Sequence, residues 1–437
     1  MHDIVIGRSM SDVEQLGTKG TVLLGKHYIK MGQTTSLSNN IYLDVIRSHV
    51  VFICGKRGGG KSYTMGVIAE GLSDLEPAIA QNLSIILLDT MGIYWTMKYP
   101  NKKEELLLEE WKFRPHGLDI DIYTPFGFYN EYKKQGIPTD YPFSVPTNQM
   151  SSDDWCKGFD VPLTSPLGVF IQKSINHFKD DLYDIDDIIA YMQQADRVEE
   201  HVRDAAMNYF QNAKAWGVFD KEGTPIETLA KGGRVTVLDV SCYATIPNGW
   251  TIKSMVVGLV SQKLFNERMR QRKDEEFAQI HSSMHYFSES QQKEKQEYPL
   301  VWLVIDEAHE FLPNQGSTLA SDPLITILRE GRQPGISLIL ATQQPGKIHT
   351  DVMTQSDTVI AHRITAKLDT EALGTLMQSY MRTGLTEALD NLPRTKGSAI
   401  IFDDNNEKMY PMRVRPRFTW HGGESPTAMP KKKDYKL

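Results

Sequence analysis

The sequence predicts an α/β fold: a mostly parallel sheet flanked by helices, with a helical insertion and a small β element at the N-terminus. Three observations predict it. Continuous apolar runs of strand length recur, such as "HVVFIC" (49–54), "SIILLD" (84–89) and "LVWLVID" (300–306). Helix-compatible segments separate them, and strands alternating with helices imply a parallel sheet covered on both faces. A glycine-rich loop, "GKRGGGKSYT" (55–64), follows the first of these runs and leads into a helix-compatible segment.

Each element follows from its own pattern. Residues 1–48 hold the strand-like runs "GTVLLG" and "HYIKMG", a small β segment ahead of the main domain. The first part of the core spans 49–127, with "LDIDIYTP" (118–125) as a further strand. From 128 to 232 the texture becomes helical. Ile185, Ile188, Ile189, Met192 and Ala195 fall on one face, and Val198, Val202, Ala206, Tyr209, Ala213 and Trp216 continue at helical spacing to Gly217. The second part of the core, 233–420, opens with "RVTVLDVS" and a helix from Ile252. A polar insert at 268–299 reads as a helix extension plus a solvated loop. "ISLILATQQ" (336–344) and "DTVIAHRI" (357–364) are strands, and "SAIIFDD" with "YPMRVRPRF" forms a closing hairpin. Residues 421–437 read as a flexible tail.

Composition sets bounds on function. The 437 residues are 40% hydrophobic and 24% charged, which describes a soluble globular chain of two or three domains. A net charge of −7 excludes a uniformly basic nucleic-acid binder, so a DNA surface must be a local patch. Three scattered cysteines offer neither a disulfide framework nor a zinc pattern. No apolar stretch reaches the roughly 18 residues that span a bilayer. The N-terminus lacks signal-peptide character. The expectation is a cytoplasmic protein without a membrane segment.

The glycine loop fits G-x-x-x-x-G-K-[ST]. Its glycines let successive N–H groups converge on one anion, and the following helix adds its positive end. Gly55, Gly58, Gly59, Gly60, Lys61, Ser62 and Tyr63 are the candidate nucleotide-binding residues. Lys61 suits the β and γ phosphates, and the Ser62 hydroxyl suits Mg²⁺. Arg57, inside the loop, is expected to face solvent.

Asp306 and Glu307 follow a buried strand. There Asp306 would help hold Mg²⁺, and Glu307 would orient or deprotonate the attacking water. His309 is either a nucleotide sensor or an ordinary polar residue. Gln343, at the end of its strand, can donate to the γ phosphate and accept from water, with Gln344 as its competitor. Arg329 and Arg332, three apart, could both face one subunit edge and supply an arginine finger in trans.

The letters Asp306-Glu307-Ala308-His309 also spell the name of a helicase class. In that class the two motifs lie much closer together and a second RecA-like domain follows. Here 245 residues separate Lys61 from Asp306 and 131 follow Asp306, which excludes it.

The chain instead resembles the HerA branch of the HerA–FtsK ATPases. The resemblance rests on "GKRGGGKS", a helical insertion, "LVWLVIDEAHEFLP" and "REGRQPGISLILATQQP". "LLDTMGIYW" (87–95) stands where the family has Asp-Pro-x-Gly-Glu-Tyr; it keeps Asp89, Gly92 and Tyr94 but carries Thr90 and Ile93 in place of Pro and Glu. The resemblance implies a RecA-like core and a homo-oligomeric ring, a hexamer. It implies hydrolysis of ATP with Mg²⁺ at subunit interfaces and passage of double-stranded DNA through the centre. It assigns Lys61 and Ser62 to phosphate and Mg²⁺, Asp306 and Glu307 to metal and catalysis, Gln343 to sensing, and Arg329 or Arg332 to action in trans. A nuclease or other effector partner, in DNA end processing or anti-phage defence, is also implied. The N-terminal segment is short for the family's usual barrel. Lys and Arg of "RMRQRK" (268–273) are candidates to face DNA. The alternative function is an ATP-gated scaffold that regulates a partner without translocation.

Overall fold

The computed structural model describes residues 3–31, 34–178, 181–284, 298–364, 366–375 and 379–423. The expected tail beyond 423 and the loop part of the polar insert, 285–297, lie outside them.

The strands are β1 (Ile4–Ile6), β2 (Thr21–Met31), β3 (Thr34–Asp44), β4 (Val50–Cys54), β5 (Leu83–Asp89), β6 (Ile120–Pro125), β7 (Tyr141–Phe143), β8 (Val145–Pro146), β9 (Phe219–Asp220), β10 (Val235–Asp239), β11 (Leu300–Ile305), β12 (Ile336–Thr342), β13 (Thr358–His362), β14 (Ser398–Asp403) and β15 (Lys408–Val414). All but β8 and β9 join one sheet, ordered β1-β3-β2-β15-β14-β13-β4-β12-β11-β5-β10-β6-β7. From β13 to β7 every pairing is parallel. From β13 outwards to β3 every pairing is antiparallel.

Burial on both faces explains the unbroken apolar runs. Val51 and Ile53 enter one core layer, with Met65 and Trp302, while Phe52 and Cys54 enter the other, with Ile305 and Leu340. Successive strand residues point to opposite faces, so a central strand must be apolar throughout.

The N-terminal segment forms strands, as expected, and they join the core sheet. β2 pairs with β15 through Met412 and His27, and so extends the core sheet. Gly25 explains why one long strand reads as two runs. A Cβ there would stand 2.1 Å from the Arg413 carbonyl oxygen, so glycine marks a close strand approach rather than a chain break.

The helical insertion is present, but its longest apolar stripe is two helices. Asp184 caps Ile185–Gln193 in a reciprocal capping box, and a second helix runs Glu200–Ala215. Phe210, not Tyr209, is the fully buried aromatic of the second helix. It packs on Trp155, whose ring centroid lies 5.0 Å from that of Phe210 and 4.8 Å from that of Phe219. The insertion also shares the core, since β7 adds to the main sheet.

Helix Gly249–Met284 buries Ile252, Met255, Val256, Leu259 and Val260. Its 36 residues span about 54 Å, more than twice the length of the strands it covers. Arg268 marks where it passes the lower sheet edge, donating from Nε to the Pro334 carbonyl at 2.9 Å.

Two buried ionic clusters tie the chain ends to the core. Glu70, on helix Lys61–Ser73, accepts from Arg415 Nη1 at 3.0 Å and Arg417 Nε at 2.9 Å, and from the backbone of Phe418 and Thr419. Burial opposes its ionisation, but the two guanidiniums hold the carboxyl below its ordinary range. At the other end of the sheet, His49 bridges Asp357 (2.7 Å) and Asp44 (3.1 Å), and Arg8 also pairs with Asp44. Burial pulls the His49 imidazole down, yet the two carboxylates more than offset it and raise it to about 9. The folded value exceeds the ordinary 6.5, so this stabilisation is complete below pH 6.5 and disappears as pH rises through about 9. Urea unfolding of the wild type and a His49→Gln variant is expected to differ by about 3 kcal/mol at pH 6. The gap should close by about pH 10; one that stays constant would remove His49 as its origin.

Candidate functional site

The phosphate loop leaves β4 at Cys54 and enters helix Lys61–Ser73 at Gly60, whose φ of 114° is closed to most side chains. Beneath the loop lies His362, the last residue of β13, which sequence reasoning missed. A Cβ on Gly55 would stand 2.6 Å from the His362 Cβ, so the loop can rest on the imidazole only as glycine. The ring lies 2.9 Å from Thr64 Oγ1 and 3.2 Å from the Ser398 carbonyl. Burial, then Lys61, pushes it down to about 4, so it packs as a neutral ring. The only advance signal was a polar residue ending the apolar run "DTVIAH".

The structure brings Lys61, Ser62, Asp306, Glu307 and Gln343 together at one sheet edge. Ser62 Oγ donates to Asp306 Oδ2 at 2.6 Å. Lys61, nearly buried, donates to the Lys56 carbonyl at 3.3 Å. Burial lowers its ammonium, while Asp306 and Glu307 pull it back up. Glu307 has φ 52° and ψ 42°, a left-handed conformation that costs a non-glycine residue about 1–3 kcal/mol. Its Oε1 accepts from Gln343 Nε2, and its Oε2 is buried without a hydrogen-bond partner. Burial, and then the Asp306 charge, raises the Glu307 carboxyl.

The two glutamines separate here. Gln343 faces Glu307, whereas the Gln344 side chain lies 3.3 Å from His309 Nε2. His309 Nδ1 is 3.0 Å from Thr342 Oγ1.

Tyr63 faces away from the loop: its hydroxyl donates to Glu104 Oε2 and accepts from the Arg417 N–H, both at 2.7 Å. Arg57 is exposed. Arg329 and Arg332 are not brought to the site. Helix Ser321–Glu330 returns the chain from the upper end of β11 to the lower end of β12. The arginines therefore lie near the opposite edge, about 20 Å away by strand length. Arg329 Nε pairs with Asp351 at 2.6 Å, whereas Arg332 is exposed. "RMRQRK" is not an open basic face: Arg268 is buried, Arg270 pairs with Glu267, and Arg272 pairs with Glu275 and Glu276.

Asp89, Gly92 and Tyr94 form one turn at the end of β5. The Asp89 carboxylate accepts the N–H groups of Met91, Gly92 and Tyr94 at 3.2, 2.7 and 2.8 Å. Burial and the neighbouring Asp239 raise it to about 7. The turn sinks Tyr94 into the core, where its hydroxyl meets Met65 Sδ and interacts with Ser62. Neither Thr90 nor Ile93 supplies a side-chain donor or acceptor to this turn.

The oxygens of Ser62 and Asp306 are hard donors that suit Mg²⁺ shared with a phosphate chain. Among the described residues no group of three or more His, Cys, Asp or Glu could hold a metal ion unaided. No helix of the described residues is long and apolar enough to cross a membrane.

Residues 29–264 match the family described as Helicase HerA, central domain, and residues 235–369 match Zonular occludens toxin. The probable DNA double-strand break repair helicase HerA of Methanocaldococcus jannaschii is 23% identical over 389 residues, 80% of this chain and 70% of that protein. The HerA of Pyrococcus furiosus is 28% identical over 143 residues, 31% of this chain and 25% of that one. VirB4 of Thermoanaerobacter pseudethanolicus shares the fold, with a TM-score of 0.54 at 11% identity, over 91% of this chain and 96% of that structure. The HerA match takes in more than half of the chain, including the whole phosphate loop, and the chain belongs to the HerA central-domain family of P-loop ATPases.

Proposed function

We propose that the chain is an ATP-hydrolysing ring motor, a hexamer that translocates or remodels double-stranded DNA together with a nuclease or other effector, in DNA end processing or anti-phage defence. The observation that carries this reading is the separation of Arg329 and Arg332 from the chain's own phosphate loop. Arginines at the far sheet edge cannot serve the site in cis, whereas a second copy docked edge to edge offers them to its neighbour's γ phosphate. Of the two, Arg332 is the better donor, because Arg329 is held by Asp351. Relatives named as double-strand break repair helicases support the choice of DNA.

Within one site, loop N–H groups and Lys61 would bind the phosphates, and Ser62 and Asp306 would hold Mg²⁺, which would supply positive charge towards the phosphate oxygens. Glu307 Oε2, buried and without a partner, accepts the proton of the attacking water, while Gln343 holds the other carboxylate oxygen.

The scaffold reading has one observation in its favour: Glu267, Glu275 and Glu276 pair with Arg270 and Arg272 and offset the charge of the run expected to face DNA.

In a Glu307→Gln variant, assembly and nucleotide binding should persist while phosphate release falls at least about 100-fold. Partner activation that survives in this variant would favour the scaffold. Arg332→Ala is expected to lower hydrolysis by about 10³-fold. Mixing Arg332→Ala with Lys61→Ala subunits should restore activity, because some interfaces then pair an intact loop with an intact arginine; no restoration would count against action in trans. Duplex DNA should stimulate phosphate release and drive displacement of a blocking protein, and a rate indifferent to DNA would remove the motor.

A further inference from the structure

We propose that His309 is a positioning residue that sets the catalytic geometry of Glu307 by clamping the end of β12. This rests on the reading of Glu307 as the residue that takes the water's proton. At the end of β12, side chains alternate sides, as in any strand. Thr342 and Gln344 face His309, and Gln343, between them, faces Glu307. Fixing the outer two fixes the backbone of the middle one, and with it the amide that holds Glu307 Oε1.

The hydrogen bonds specify which proton sits where. The Gln344 amide nitrogen can only donate, so His309 Nε2, 3.3 Å away, accepts. The neutral ring then carries its proton on Nδ1 and donates it to Thr342 Oγ1 at 3.0 Å, whose other lone pair accepts the Gln344 N–H at 3.0 Å. With its Nδ1 proton committed to Thr342, His309 stands 3.6 Å from Glu307 Oε2, outside hydrogen-bond distance. The oxygen stays free for water. His309 also belongs to the short turn Ala308–Glu310, which follows the left-handed Glu307 directly. A strained residue keeps its conformation only where its surroundings over-determine it, and the clamp ties that turn to a buried strand.

The test is ATP hydrolysis and nucleotide binding in the full chain. His309→Phe keeps an aromatic ring but can neither donate to Thr342 nor accept from Gln344. Its kcat should fall about 100-fold while KM and nucleotide affinity stay within about twofold. His309→Asn can still donate to the Thr342 hydroxyl oxygen and should remain within about fivefold of wild type. Thr342→Val removes the same bond from the other side and should reproduce the His309→Phe loss. In a Glu307→Gln background, His309→Phe should add no further loss, because it acts through Glu307. Wild-type kcat in both His309→Phe and Thr342→Val, or a further loss on top of Glu307→Gln, would overturn the inference and leave the role of Glu307 intact. Wild-type hydrolysis by Glu307→Gln alone would instead overturn that role.

Discussion

The site depends on one constraint, the in-register parallel pairing of the central strands. Cys54 stands opposite Thr342, Ile305 opposite Leu340 and Leu88, and Asp239 opposite Asp89. These strands therefore end together. Whatever follows each one emerges at the same edge: the phosphate loop after β4, the glutamines after β12, the acids after β11, the capped turn after β5. Ala361 pairs with Cys54, which sets His362 beside Gly55 and supplies the loop with its floor. A slip of one residue would turn every side chain to the other face, so the apolar packing that fixes the register also fixes the chemistry.

Converging strand ends concentrate charge where water is scarce. Lys61 attracts both Asp306 and Glu307 there while the two acids repel each other, and burial shifts Lys61 and Glu307 towards neutrality. The helix that carries Lys61 must not move under this load. Glu70, about two and a half turns along, is gripped by Arg415 and Arg417, and Gly66 leaves room for the Arg417 guanidinium against the helix. Removing one partner of so buried a set strands the remaining charges, which typically costs about 3–5 kcal/mol. The C-terminal segment thus acts as a strap over the outer face of the phosphate-loop helix.

The sequence made much of this legible because the central strands are buried on both faces and their patterns are local. Each apolar run of the core became a strand, and the glycine loop lies between strand and helix. What stayed hidden depends on contacts distant in sequence. Gly25 looked like a break because its partner, Arg413, is nearly four hundred residues away. His362 is one polar residue at a strand end, and its place under the loop follows only from the pairing of β13 with β4. The stripe from Ile185 to Trp216 kept helical spacing across a break, because two helices on the same core show matching faces. The pairing of the basic run at 268–273, by contrast, is local: Glu267, Glu275 and Glu276 stand three or four residues from Arg270 and Arg272 and were visible in the sequence as a run of mixed charge.

The glutamines show why adjacent residues can be chemically alike and mechanically different. Gln343 and Gln344 have the same side chain and share a strand end, so composition cannot rank them. The pleat separates them, sending one to Glu307 and the other to His309. The same strand has a second end. β12 begins at Ile336, just after the turn that carries Arg332, and all seven of its residues are buried. A buried, hydrogen-bonded strand of this length is stiff, because its neighbours on both sides fix its backbone. In a ring it would join two active sites: the arginine at its lower end meets the neighbour's nucleotide, and the glutamine at its upper end holds the chain's own acid. In the proposed ring, tension at one interface would reach the other through about 20 Å of packed backbone.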